Sequence, residues 1–241
     1  MGTPGILSGR TALIVGGTGG IGREVARALA ARGADLILHG GHDRRKGEDL
    51  VRELSAGGVK VRLVMAEIAA LEDADLLGVQ ASGADILVCG FGPFLRTPLD
   101  GMSRAEWRNM CELNLALPGY LVSSAVARMA ERRYGRIILF GGTGTAVPRG
   151  YKTVAAYSAA KIGLGVIAKS VADNYGRQNV TCNVIVPGYV DTEYLSDADR
   201  TSFARRSPSG LLARPEIIAR WVTEVVCSDE GLPNGAILEL S

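Results

Sequence analysis

The sequence predicts an α/β fold, a doubly wound parallel sheet covered by helices on both faces. Three observations predict it. Short, continuously apolar runs such as Ala12-Leu13-Ile14-Val15 alternate with helix-length amphipathic segments, and strands that are apolar throughout are strands buried on both sides. The chain has 241 residues, 47% of them apolar, enough to fill one large core. No linker and no internal repeat interrupts the alternation, so residues 1–241 are read as a single domain.

After the first strand, at 12–15, a helix is expected over about residues 21–32, closed by Gly33 as its C-cap. Leu36-Ile37-Leu38 is the second strand, and a polar helix over about 44–56 ends at Gly57-Gly58. A strand at 61–65, a helix at 71–81 and a strand at 85–89 follow. One long helix is expected over about 105–132, with Pro118 kinking it or marking a local irregularity. A strand at 136–140, a helix at 155–175 and a strand at 181–186 come next, the last broken by Pro187-Gly188. Residues 189–214 show turn chemistry at Ser207-Pro208-Ser209-Gly210 and are read as an irregular loop that closes the substrate pocket. A helix at 215–227 and a short strand at 236–240 complete the chain. In such sheets the ligand lies beyond the carboxyl ends of the strands, where the strand order reverses.

Composition excludes several classes. The net charge is only +2, and the clusters Arg44-Arg45-Lys46 and Arg132-Arg133 are short, so no nucleic-acid partner is expected. The four cysteines (89, 111, 182, 227) form no C-x-x-C pair and only two histidines exist, so no metal site is expected. Cys89 and Cys182 sit in apolar runs and read as buried thiols in a reduced, cytoplasmic setting. Residues 1–10 contain no apolar leader core, Ile6 stands where a myristoylation signal needs Ser or Thr, and no apolar run spans a bilayer.

The first strand runs into Gly16-Gly17-Thr18-Gly19-Gly20-Ile21-Gly22. Glycines allow a tight turn and close approach of backbone to a pyrophosphate, and the helix N-terminus offers free N–H groups. A glycine run that follows a strand and opens a helix is the context of a dinucleotide cradle, with Gly16, Thr18, Gly20, Ile21 and Gly22 against the cofactor. The spacing G-x-x-x-G-x-G resembles the short-chain dehydrogenase/reductases, a Rossmann-fold family, and is similar to their 3-ketoacyl reductase-like members. Val15 replaces the Thr that usually precedes the first glycine of that family.

An acid at the end of the second strand selects NAD by accepting from the ribose 2′-hydroxyl. Gly40 stands at that place, and Arg44, Arg45 or His42 nearby can neutralise a 2′-phosphate. NADP is therefore the expected cofactor, with NAD as the other candidate. The resemblance further implies that Glu67 and Ile68 lie near the adenine, and that Gly90 contacts the cofactor after the fourth strand.

Tyr157-Ser158-Ala159-Ala160-Lys161 puts Tyr157 and Lys161 on one helix face. A phenol with a pKa of about 10 is a poor base at neutral pH, and a neighbouring ammonium lowers that value. Tyr157 is thus the candidate proton donor and acceptor. The family resemblance, which runs from about residue 7 to 240, implies that Lys161 also binds the nicotinamide ribose and that Asn114 holds a water in the proton relay. It places Pro187 and Gly188 along the nicotinamide pocket and Thr192 at the carboxamide, and it implies a homotetramer or dimer paired through the helices at 105–132 and 155–175.

Three departures from the family stand out. Cys89-Gly90-Phe91-Gly92 replaces Asn-Asn-Ala-Gly, the chain stops at Ser241 before the usual Asp-Gly-Gly, and Gly142 aligns with the catalytic Ser. Thr143 or Thr145 must then supply the hydroxyl, and Thr143 is the first choice. Arg149, Tyr151 and Lys152 on the following loop can face the substrate. The expected function is interconversion of a small-molecule carbonyl and a secondary alcohol by hydride transfer, on a substrate that is apolar, aromatic or anionic. The rivals are a cofactor-binding protein with little turnover, acting as a regulator or partner subunit, and an epimerase. Enoyl reduction ranks low because that subgroup spaces Tyr and Lys more widely.

Overall fold

Side chains of the apolar runs alternate between two hydrophobic layers. Leu13 and Val15 point into one, and Ala12 and Ile14 into the other. In the computed structural model, which describes residues 5–228 and 232–240, these runs are strands of one sheet. The strands are β1 (Thr11–Val15), β2 (Asp35–Gly40), β3 (Val61–Met65), β4 (Ile86–Cys89), β5 (Gly135–Phe140), β6 (Val180–Val186) and β7 (Ile237–Glu239). All pairings are parallel, in the order β3-β2-β1-β4-β5-β6-β7, with Leu13 opposite both Ile37 and Leu87. Part of the N-terminal segment read for a leader, residues 1–4, and the terminal Ser241 lie outside the described residues.

The helices are α1 (Gly20–Ala30), α2 (Arg44–Ser55), α3 (Asp75–Gly83), α4 (Arg104–Cys111), α5 (Leu117–Glu131), α6 (Ala155–Tyr175), α7 (Asp197–Arg206) and α8 (Pro215–Val226). Apolar residues of α1, α2 and α8 share one layer with one face of the sheet, and those of α3, α5 and α6 share the other. The amphipathic stripe explains each docking. Val25 and Leu29 of α1 are wholly buried, and each contributes about 1.5–3 kcal/mol by leaving water.

The long helix expected over 105–132 is two helices joined by a π turn. Leu117 donates its N–H to the carbonyl of Glu112, five residues back. Pro118 has no N–H, so the carbonyl of Asn114 lacks the donor that an α-helix supplies four residues on. The segment 189–214 corrects the sequence reading in part. It contains α7 and a bridge between Val190 and Ala213, although α7 buries none of its residues and so carries no apolar stripe. Among the described residues, no helix is long and apolar enough to cross a membrane.

Candidate active site

The turn after β1 is shaped by glycine where a side chain has no room. Gly16 has φ +77°, and a Cβ there would lie 3.3 Å from the carbonyl carbon of Gly90 on the neighbouring strand end. A Cβ on Gly22 would strike the carbonyl of Gly16, so that glycine lets α1 press against the turn. Gly19 caps α1 without a side chain. The open N-terminus is instead met by a carboxylate. Gly20 N–H points at both oxygens of Glu193, 3.2 Å from each, and Arg23 and Lys46 donate to the same group. Burial raises the Glu193 pKa, but these donors, Lys46 foremost, outweigh it and hold the acid down at about 2. The cradle therefore accepts an anion where the turn is built to take phosphates.

His39, at the end of β2, ties three strand ends together. Its Nδ1 accepts from Gly16 N–H at 3.2 Å, its Nε2 donates to the Ala66 carbonyl at 2.9 Å, and its own carbonyl accepts from Gly17 N–H. That pattern requires the neutral ring. Burial lowers the His39 pKa, against the opposing pull of the Ala66 bond.

On α6, Tyr157 and Lys161 face the crevice as their spacing predicts. The Lys161 ammonium lies 5.8 Å from the Tyr157 ring centre. The expected lowering of the tyrosine pKa is not found. Burial pushes Tyr157 up to about 12 and Lys161 down to about 8. Among the described residues no carboxylate pairs with Lys161. Behind it, Asn114 donates to the Pro93 carbonyl at 3.0 Å, while its buried Oδ1 has no partner. A Cβ on Gly92 would collide with that Oδ1 and lie 3.4 Å from Lys161 Nζ, so the one glycine kept from the family strand end has a packing reason.

Gly142 faces the tyrosine. A Cβ there would sit 2.7 Å from the Tyr157 hydroxyl, which is where a Ser would act. Thr145 is spent on the turn itself, accepting from Gly142 N–H and donating to Gly142 C=O. Thr143 donates to the Gly188 carbonyl at 2.7 Å.

Two cavities of about 730 Å³ each meet at Tyr157 and Tyr194. One is lined by Gly16, Thr18, Gly20, Ile21, Gly22, Glu67, Ile68, Gly90, Lys161, Pro187 and Thr192, together with His39 and Lys46. The other takes in Thr143 and Gly188. Asn114 lies behind the wall, and Arg44 lines neither cavity, its guanidinium lying 3.8 Å from Glu48. Lys46 is the member of the basic cluster that reaches the cleft. Gly40 leaves room for the Thr18 side chain, which a Cβ would meet at 2.8 Å. Sequence reasoning missed His39 and Glu193. A histidine ending an apolar strand was a faint signal for the first, and nothing in the chain pattern marked the second. Among the described residues no group of His, Cys, Asp and Glu is placed to hold a metal ion.

Sheet, glycine turn and tyrosine–lysine pair together define a nicotinamide-dependent oxidoreductase of the α/β class. Residues 10–202 match the family described as short chain dehydrogenase, and the chain belongs to that family. It is 31% identical over 238 residues to the 3-oxoacyl-(acyl-carrier-protein) reductase FabG of Escherichia coli (strain K12), covering 97% of this chain and 96% of that one. It is 30% identical over 237 residues to the cis-4-hydroxycyclohexanecarboxylate dehydrogenase of Sinomonas cyclohexanicum, covering 95% and 94%. The crystal structure of a 3-oxoacyl (acyl-carrier-protein) reductase from Agrobacterium tumefaciens C58 with NADP bound superposes with a TM-score of 0.86 at 26% identity, covering 97% and 93%.

The His39 geometry predicts a pH dependence of stability. The unfolded chain protonates near pH 6.5 while the folded ring resists, so stability is full above that pH and falls below it. The slope approaches about 1.4 kcal/mol per pH unit. Urea unfolding between pH 5 and 8 measures it, and His39→Asn should flatten the profile. An unchanged slope in that variant would show that the ring is not held neutral.

Proposed function

We propose that the protein reduces a ketone or aldehyde with NADPH, or runs the reverse oxidation of a secondary alcohol. The observation that carries this reading is the position of the Tyr157 hydroxyl, protonated at neutral pH, at the junction of the two cavities with the Lys161 ammonium 5.8 Å from its ring centre. A phenol in that state fits the task of protonating a carbonyl oxygen. When bound, the cofactor supplies or accepts a hydride at the carbonyl carbon. Lys161, charged below about pH 8, opposes the negative charge left on the phenol oxygen. The Asn114 carbonyl, short of its helical donor beside Pro118, would accept from a relay water. Thr143 supplies the hydroxyl that Gly142 lacks, by exchanging its bond to Gly188 for one to the substrate oxygen.

The glycine turn, with Thr18 and Ile21, holds the pyrophosphate, while Glu67, Ile68 and Gly90 flank the adenosine half. Pro187, Gly188 and Thr192 hold the nicotinamide. The fit of the cradle rests on the Glu193 carboxylate, an anion that it already binds. NADP is favoured because Gly40 offers no acid to repel a 2′-phosphate, and because Lys46, rather than Arg44, stands in the cleft. The NADP-bound relative is consistent with this choice.

Four tests bear on the reading. Fluorescence titration should give tighter binding of NADPH than of NADH, and Tyr157→Phe should abolish carbonyl reduction while retaining cofactor binding. Tight binding without turnover on a panel of ketones and aldehydes would move the protein to a cofactor-sensing role. Thr143→Ala should lower kcat by about 100-fold, the cost of one oxyanion-type donor, and Thr143→Ser should restore most of it. An unchanged rate in the alanine variant removes Thr143 from the mechanism. Glu193→Gln should tighten NADPH binding by roughly threefold to tenfold, since a charged competitor leaves the cradle; weaker binding would mean that the carboxylate assists the cofactor.

A further inference from the structure

Building on the carbonyl-reductase reading, we propose that the substrate carries a carboxylate at the end remote from its carbonyl, on an apolar ring-bearing body, and that Arg149 binds the carboxylate. The cavity beyond Tyr157 has aromatic walls. Phe94 meets Tyr157 edge-on at 5.0 Å, and Tyr189 stacks on Phe203 at 5.0 Å with 24° between the planes. Four cations line the same cavity, Arg96, Arg149, Lys152 and Arg206, against one acid, Asp199. That acid is committed, accepting from Arg96 at 3.3 Å and from Ser196 Oγ at 2.7 Å. Three cations therefore lack a carboxylate among the described residues, at one cavity of a chain whose whole net charge is only +2. Cations in excess of acids along one cavity favour an anionic ligand there.

The Arg149 side chain is exposed at the cavity wall, where two contacts orient its guanidinium. Its guanidinium packs on the backbone of Gly144, where a Cβ would strike it and φ is +71°. It lies 5.2 Å over the Tyr151 ring, and the Tyr151 hydroxyl donates to the Gly144 carbonyl at 2.5 Å. A guanidinium stacked on an aromatic ring keeps its planar fork available to a carboxylate. Its location sets the length of the substrate. Gly144 is two residues beyond Gly142, the position facing the Tyr157 hydroxyl, and two residues span at most about 7 Å. A carbonyl at Tyr157 and a carboxylate at Arg149 are then on the order of 10 Å apart or less, the reach of one ring bearing both groups.

The test compares NADPH oxidation with 4-acetylbenzoate and with its methyl ester, using acetoacetyl-coenzyme A as a thioester control. The expected kcat/KM is at least tenfold higher for the acid, a ratio that collapses toward one in Arg149→Gln. Equal rates for acid and ester overturn the proposal, as does a preference for the thioester over both. A second measurement does not depend on turnover. Protein saturated with NADP is titrated calorimetrically with 4-isopropylbenzoate and with 4-isopropylbenzamide, neither of which has a ketone or aldehyde to reduce. The acid should bind at least tenfold tighter, and Arg149→Gln should remove the difference. Equal binding overturns the proposal even if ketones are reduced. Failure to bind NADP(H) at all overturns the carbonyl-reductase reading instead, and the same acid–amide comparison without cofactor still decides whether Arg149 selects a carboxylate.

Discussion

β1 and β4 lie side by side, yet the helices that follow them leave to opposite faces of the sheet. α1 packs into one hydrophobic layer and α5 into the other. The two chains diverge at the carboxyl edge, and a crevice opens between them. Its walls must be thin, because backbone passes close to backbone there. Gly16 beside Gly90 meets that demand, and Gly92 in front of Asn114 and Lys161 meets it one layer deeper. His39 then locks the turn to the ends of β2 and β3, so the cradle is fixed by hydrogen bonds within the sheet edge.

The floor of this crevice holds groups that ordinary packing would not leave together. Among the described residues, buried Lys161 pairs with no carboxylate and buried Asn114 Oδ1 meets no donor. Each such group costs stability, since a buried charge or acceptor loses its water. Burial accordingly drives the lysine toward neutrality and the tyrosine toward its protonated form. Both shifts have one cause, the removal of water from the crevice floor. The π turn contributes to the same spot, because the irregularity that Pro118 imposes falls on the segment that carries Asn114.

Much of this was legible in the chain. Apolar runs of strand length and the glycine turn located the sheet and the crevice, since both depend on local residue types. The i, i+4 spacing located Tyr157 and Lys161, and Pro118 announced a break in its helix. What stayed hidden depends on distant partners. Glu193 reaches the N-terminus of α1 from 173 positions away, and nothing near it in sequence records that meeting. The three residues of the basic cluster look equivalent, and only folding shows Lys46 turned into the cleft and Arg44 toward Glu48. α7 was unreadable for another reason, as a helix that buries no residue leaves no periodic trace. The shift on Tyr157 was misjudged because charge was weighed and burial was not.

The contact between Gly142 and Tyr157 bears on how this active site can change. The tyrosine lies in the volume that a serine side chain at position 142 would fill, with Phe94 edge-on against it. Restoring the serine is therefore not a simple reversion. The new Cβ would meet the phenol before its hydroxyl could meet a substrate, so the ring must first retreat, and Phe94 with it. A single Gly142→Ser step therefore carries a steric penalty that the aromatic pair must relieve.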